Sequence, residues 1–281
     1  MQLHSNIGQP QDIPYQSNIF SAIHTLPVEH TDMPFYAYPI VDNKTNTLTQ
    51  SQMLKTAEDS HKFISSQVKE IEGLLKMGVF DVQHISTIPA YAKLLSSILE
   101  LPLKKEPHWH ICVDGSQQQH GRDFWDVYAP VVSWLTIHLL LLLSSILDLK
   151  QWQVDYTQAF PQAPLYDSVY VCVPQGWFID ETSCLKQHSD PTFQDRSFYI
   201  KLKRNLYGCK QAACNWFQHL TQGLLSEAFQ QSSNDHCLFL WRDCIILIVY
   251  MDDCIIFAKD DHIIDALIQG LSISFFLEGQ G

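Results

Sequence analysis

Residues 244–258, CIILIVYMDDCIIFA, decide the fold. Two apolar runs, Cys244 to Tyr250 and Cys254 to Ala258, flank Met251-Asp252-Asp253. Apolar runs this short, joined by an acidic turn, read as a buried β-hairpin with two carboxylates at its tip. Adjacent carboxylates on an apolar hairpin repel each other and resist desolvation unless a cation holds them. Hard divalent ions, magnesium first, take carboxylate oxygens, and paired ions catalyse in-line phosphoryl transfer by clamping the attacking and leaving oxygens. Such a centre needs a third carboxylate from a neighbouring strand. Asp155 ends the apolar segment Trp152-Gln153-Val154-Asp155 and meets that need if its strand lies antiparallel beside the hairpin. The same residues would also serve as a solvated turn and a strand terminus.

Outward from the hairpin, Tyr170 to Val173 reads as a strand closed by Pro174-Gln175-Gly176, and FYIKLK at 198–203 alternates as another. Lys210 to about Ala228 carries Trp216, Phe217, Leu220, Leu224 and Leu225 at helical spacing. Upstream, residues 131–147, VVSWLTIHLLLLLSSIL, are the most apolar stretch. Their length sits at the bottom of the membrane-spanning range, and they carry Thr136, His138 and three serines, so they read as a buried core helix with no membrane partner. From about Thr56, the residues Phe63, Ile64, Val68, Ile71, Leu74 and Leu75 mark an amphipathic helix, with Gly78 at its C-cap and a short strand over Val79 to Val82. Residues 83–110 show no clean pattern. Residues 1–55, rich in Gln, Ser, Asn, Thr and His, read as a poorly ordered leader to one domain over 56–281. Helices and strands interleave without βαβ spacing, which predicts an α+β fold with helices on one face of a sheet.

Composition bounds these readings. With 46% hydrophobic and 17% charged residues in 281, the chain is neither wholly disordered nor too small for a core. A formal charge of −12 opposes long-range attraction to nucleic acid. Eight cysteines without a CxxC pair, and an opening MQLHSNIGQP lacking signal-peptide zones, point to a reducing intracellular compartment and away from secretion. His108, His110 and Cys112 form an HxHxC cluster, but no fourth zinc ligand follows at the usual spacing.

Two further segments bear on chemistry. Phe160, in VDYTQAF, places a bulky ring five residues past Asp155, where it would exclude a ribose 2′-hydroxyl or simply fill a core. Leu206-Tyr207-Gly208-Cys209-Lys210-Gln211-Ala212 puts a glycine before a helix, with Lys210 and Gln211 in its first turn, where backbone N–H groups and a cation meet phosphate or base.

QVDYTQAF, VPQGW at 173–177, LYGCKQAACNWF at 206–217, SSNDHCLF at 232–239 and YMDD at 250–253 stand in the order and rough spacing of one family. The chain resembles the reverse transcriptase domain of copia-type retrotransposons over roughly residues 57–275, including CVDGSQQQHGRDFWDVY at 112–128 and APVVSWLTIHLLL at 129–141. The resemblance implies a right-handed palm and fingers fold with an antiparallel palm sheet, and RNA- and DNA-templated DNA polymerase activity on a template-primer. It implies two Mg²⁺ ions, or Mn²⁺, on Asp155, Asp252 and Asp253. It also implies Phe160 as sugar gate, with Gly208, Lys210, Gln211 and Tyr250 on the nucleotide side and a dNTP as substrate. The setting it implies is a Pol polyprotein in the cytoplasm, in a virus-like particle, or in the nucleus.

The copy departs from the family at several points. Where the family carries a Lys-x-Arg pair and a further Arg, this chain has His108, His110 and His138, weak bases in place of permanent charges. Ala213 stands where the family has Pro, and a basic strand-turn-strand between Ile98 and Lys104 reads as lost. The chain runs 28 residues past Asp253, so the expectation is a degenerate or truncated copy without a thumb, or a catalytically inactive remnant that binds protein or nucleic acid.

Overall fold

The computed structural model describes residues 47–48, 60–102, 110–180, 185–190, 192–242 and 244–280. The expected leader lies outside these residues except for one short strand. In chain order the elements are β1 (Thr47–Leu48), α1 (Ser60–Lys76), β2 (Phe80–His84), β3 (Leu94–Leu95), β4 (Ser97–Pro102), β5 (His110–Val113), α2 (Trp134–Leu147) and β6 (Lys150–Asp155). There follow α3 (Ala159–Gln162), β7 (Tyr170–Cys172), β8 (Trp177–Ile179), β9 (Leu185–Gln187), β10 (Phe198–Leu202) and α4 (Ala212–Ser226). The chain then forms β11 (Gln230–Gln231), β12 (Leu238–Trp241), β13 (Ile245–Tyr250), β14 (Asp253–Ala258), α5 (Asp261–Leu271) and β15 (Glu278–Gln280). The described chain forms two compact units, one from residues 129–159 and 217–280 and the other from residues up to 128 and 160–216.

The first unit is built on a six-stranded sheet in the order β11-β12-β13-β14-β6-β15, every pair antiparallel. Ile245 to Val249 are all buried, so β13 is covered on both faces, which is why its sequence is an unbroken apolar run. Leu238, Leu240, Ile246, Ile248 and Phe257 pack with Val132 and Leu140 from α2 and its lead-in. Helix α5 buries Ile264, Leu267 and Leu271.

Helix α2 begins at Ser133, whose hydroxyl accepts from Thr136 N at 3.1 Å, and ends at Asp148 in the left-handed conformation. The expectation of a wholly buried helix is corrected here. Only Leu140 and Ser144 are fully buried, while Trp134, Leu135, Leu142 and Ile146 are exposed. Where apolar residues fill both faces, as leucines and isoleucines do here, periodicity says little about which face turns inward. No helix among the described residues is long and apolar enough to cross a membrane.

The second unit carries a four-stranded sheet in the order β2-β10-β7-β3, in which β3 and β7 run parallel, and two smaller pairings, β1-β4-β5 and β8-β9. Ile71 and Leu74 of α1 pack on Val79, Phe80, Ile111, Val171 and Ile200. Gly78, at φ +63, ends α1 as expected. Within the stretch 83–110, which shows no clean pattern in sequence, β4 pairs antiparallel with β5, with Ser97 opposite Val113 and Glu100 opposite His110. Their alternation escapes notice because β4 ends at Pro102 and the pair is short. Among the described residues the single sheet becomes four sheets in a mixed α and β architecture.

Candidate active site

The hairpin forms as the sequence predicts, and its register builds the acidic centre. Strands β13 and β14 pair with Tyr250 opposite Asp253, and β14 pairs with β6 with Asp253 opposite Asp155. Opposed residues in an antiparallel pair share a face with Cβ atoms about 5 Å apart, so two carboxylates project side by side. Asp252 sits in the turn, with Met251 at φ +57 before it. The Tyr156 N–H donates to the Asp252 carbonyl at 2.9 Å, tying the turn to the end of the strand that carries Asp155. Three carboxylates therefore come from one turn and one adjacent strand end.

The surroundings tune this edge. The Gln153 side-chain amide donates to Asp253 Oδ1 at 3.2 Å. Burial pushes the Cys254 thiol up to about 12, against a hydrogen bond from Tyr156 and with the charges of Asp253 and Asp155 adding to the rise. Burial likewise pushes the Tyr156 phenol well above its ordinary range. The hairpin's back is thus neutral, and its charge is confined to the tip. Strand β15 pairs with β6 with Glu278 opposite Asp155, which adds a fourth acid to the row. Sequence reasoning passed over Glu278 because no apolar run marks its strand. Among the described residues, no group of three or more His, Cys, Asp or Glu side chains is gathered closely enough to hold a metal ion as it stands.

The SSNDHCLF phrase finds its role in the same unit. Asp235, 7% exposed, accepts from Ser133 N at 3.0 Å, Thr136 Oγ1 at 2.6 Å and Cys237 N at 3.0 Å. A buried carboxylate thereby caps α2, whose N-terminal amides favour negative charge. Tyr250 is half exposed at 51% on the hairpin. His138 lies on the open side of α2 against Trp134, ring centroids 5.8 Å apart.

The remaining predicted residues lie in the second unit. Phe160 is partly buried against the core and tilts on Tyr207 at 5.2 Å between centroids. Gly208 adopts φ +82 and is exposed. Lys210 is exposed, with Nζ 5.0 Å from the Phe124 ring centroid. Gln211 departs from expectation: at 1% exposure it is enclosed, its Oε1 accepting from Gln118 Nε2 at 3.0 Å and its Nε2 donating to the Asp123 carbonyl at 3.0 Å. Both residues precede α4 and do not belong to its first turn, so Gln211 holds the loop and presents nothing to solvent. Nearby, burial and then the charge of Asp123 raise the Asp167 carboxyl, and a hydrogen bond from Gln211 opposes the rise. Asp123 is itself held low, first by its hydrogen bond from Arg122. Of the HxHxC cluster, His108 lies outside the described residues, Cys112 is buried, and His110 Nδ1 faces the Glu70 carboxylate at 3.6 Å.

Comparison with known proteins places this geometry in a family. Residues 104–280 match the family model for reverse transcriptase (RNA-dependent DNA polymerase). The chain is 26% identical over 265 residues, 90% of its length, to the retrovirus-related Pol polyprotein from transposon TNT 1-94 of Nicotiana tabacum, and covers 19% of that polyprotein. It is 32% identical over 167 residues, 57% of its length, to the Pol polyprotein from transposon RE2 of Arabidopsis thaliana, covering 10% of it. Against the transposon Ty1-ER2 Gag-Pol polyprotein of Saccharomyces cerevisiae it is 23% identical over 214 residues, 73% of the chain and 11% of the polyprotein. The chain thus spans between a tenth and a fifth of the length of these relatives. The acidic hairpin, the strand beside it and the motifs around them identify the chain as a member of the reverse transcriptase (RNA-dependent DNA polymerase) family, from a copia-type element.

Proposed function

We propose that this chain is the palm and fingers part of a polymerase that copies RNA and DNA templates into DNA, as a segment of a Pol polyprotein acting in the cytoplasm or nucleus. The observation that carries the reading is the cross-strand register of Asp253 with Asp155, closed over Asp252 by the Tyr156 N–H. Three carboxylates are a hard-oxygen donor set suited to magnesium, with manganese as a substitute. Asp155, Asp252 and Asp253 would hold two such ions. When bound, the ions supply Lewis acidity at the primer hydroxyl and the triphosphate.

The chain's own residues do the rest. The apolar strands keep the carboxylates at a fixed spacing, Gln153 orients Asp253, and the Phe160 ring selects deoxyribose by excluding a 2′-hydroxyl. Gly208, Lys210 and Tyr250 are exposed and would be the residues offered to the nucleotide. A weakened grip on nucleic acid is supported by histidines at 108, 110 and 138 and by the charge of −12, and these same features favour a second reading, an inactive remnant.

Primer extension on poly(rA)/oligo(dT) with Mg²⁺, comparing the parent with an Asp252→Asn, Asp253→Asn variant, separates the two. Extension by the parent and loss of at least about a thousandfold in the variant supports the polymerase. No extension by either, with calorimetric Mg²⁺ binding present in the parent and absent in the variant, supports the remnant.

A further inference from the structure

The segment 112–118 is zipped to the segment 207–211 within the second unit. Val113 N donates to the Tyr207 carbonyl at 2.7 Å, and Cys112 bridges Tyr207 in parallel. Further along, the two backbones touch so closely that only glycine fits. A Cβ on Gly208 would lie 2.1 Å from the Val113 oxygen, and one on Gly115 would lie 2.1 Å from the Gly208 oxygen. Gly208 also adopts φ +82, which L side chains disfavour.

The turn that carries Gln118 is itself held rigid. Asp114 accepts from Ser116 N at 3.1 Å, Ser116 Oγ at 2.6 Å and Gln117 Nε2 at 2.8 Å. Gln117 in turn accepts from Ser96 N at 3.0 Å and, through its carbonyl, from Lys93 Nζ at 2.8 Å.

From this base Gln118, 5% exposed, places three of its polar atoms on the motif that follows Gly208. Its Oε1 accepts from Lys210 N at 2.7 Å, its Nε2 donates to Gln211 Oε1 at 3.0 Å, and its carbonyl accepts from Lys210 Nζ at 3.4 Å. The Lys210 ammonium is steadied from another side by the Phe124 ring. We propose that Gln118 is the positioning residue for Lys210: it fixes the backbone and the ammonium of Lys210 toward the triphosphate that this exposed cation would meet. The triphosphate half of this inference rests on the polymerase reading above; the positioning half does not.

Two measurements keep the halves apart. In the first, native chain is acetylated briefly with acetic anhydride and each lysine is followed by peptide mass spectrometry, with Lys201 as internal control. Gln118→Met keeps length and apolar volume and removes every side-chain hydrogen bond. The main-chain carbonyl that accepts from Lys210 Nζ stays in this variant, so its effect on the ammonium comes through release of the Lys210 backbone: the rate at Lys210 is expected to rise about fivefold, the size of the one lost hydrogen bond to Lys210 N, and Lys201 to stay unchanged. Gln118→Glu keeps the acceptor for Lys210 N and is expected to restore protection. An unchanged rate at Lys210 in Gln118→Met, or an equal rise at every lysine, overturns the positioning role.

In the second, dTTP binding is measured with Mg²⁺ present. Lys210→Ala and Gln118→Met are each expected to raise Kd about tenfold, and the double variant no further, because both changes remove one interaction. Additive losses overturn the coupling. If Lys210→Ala leaves dTTP affinity unchanged, the nucleotide role of Lys210 fails, and the labelling result still decides what Gln118 does.

Discussion

Asp235 shows how much a single carboxylate carries in the first unit. It satisfies the N-terminus of α2 and the loop before β12 at once, through three accepted hydrogen bonds to a largely buried carboxylate. Asp235→Ala leaves Ser133 N and Thr136 without their acceptor, and the expected cost is about 3 kcal/mol, read from urea denaturation. Asp235→Asn, which keeps one acceptor oxygen and loses the charge, should cost less than half of that. Gly208→Ala belongs to the same scale: a positive φ and a 2.1 Å approach to Val113 oxygen require the segment to separate from its partner. That variant is expected to lower the unfolding temperature and to free Lys210 for acetylation, both measurable on one preparation. The acidic centre was legible because its apolar flanks make Asp252 and Asp253 anomalous, and because Asp155 ends a run of its own. Asp235 and Gln118 were not, since their partners lie 99, 102 and 92 residues away and polar side chains carry no periodicity that would reveal them.

At the scale of elements, α2 separates hydrophobicity from burial. Its sequence is apolar almost throughout, yet it seats only one face on the sheet, through Leu140 and Ser144. Leu140→Ala should therefore cost about 2–5 kcal/mol, the range for a fully buried leucine whose neighbours only partly collapse. Leu142→Lys, two residues on and exposed, should fall within about 0.5 kcal/mol of the parent. Equal losses in the two variants, measured by denaturant titration, would show that the exposed face is covered in solution. Where a helix mixes polar and apolar positions, as α1 does, Ile71 and Leu74 turn inward with Val68 against them as their spacing predicts, whereas Leu75, read on the same face, is exposed. The hairpin was legible for a related reason, since a run buried on both faces is short and ends at a turn that an acidic pair makes plain. Strands β4 and β5 have neither signal, because they pair over four residues and Pro102 closes one of them.

For the whole molecule, the buried thiols set an alkaline limit to stability. Burial pushes Cys209 from its ordinary value of 9.0 up to about 12, and Cys237 is raised further by burial and by the neighbouring charge of Asp235. Cys214 is moved to about 11 by burial, with the Asp126 charge and hydrogen bond adding to it. A folded-state pKa above the unfolded one means that the native chain holds its proton longer. The contribution is complete below pH 9 and is lost as pH rises through the window from 9 toward 12, where the unfolded thiolate forms and the native one does not. For Cys209 alone the loss at pH 10.5 is about 2 kcal/mol. Thermal unfolding followed from pH 8 to pH 11 should show a steepening fall in melting temperature above pH 9, and Cys209→Ala should flatten that fall while lowering the plateau. A pH-independent melting temperature across this range would show that these thiols reach solvent in the native state. The same burial predicts the order of chemical reactivity. A disulfide reagent at pH 8 should label Cys172 and Cys244, which are only partly buried, before Cys209, Cys237 and Cys254, whose labelling should track unfolding because the thiolate is the reactive form.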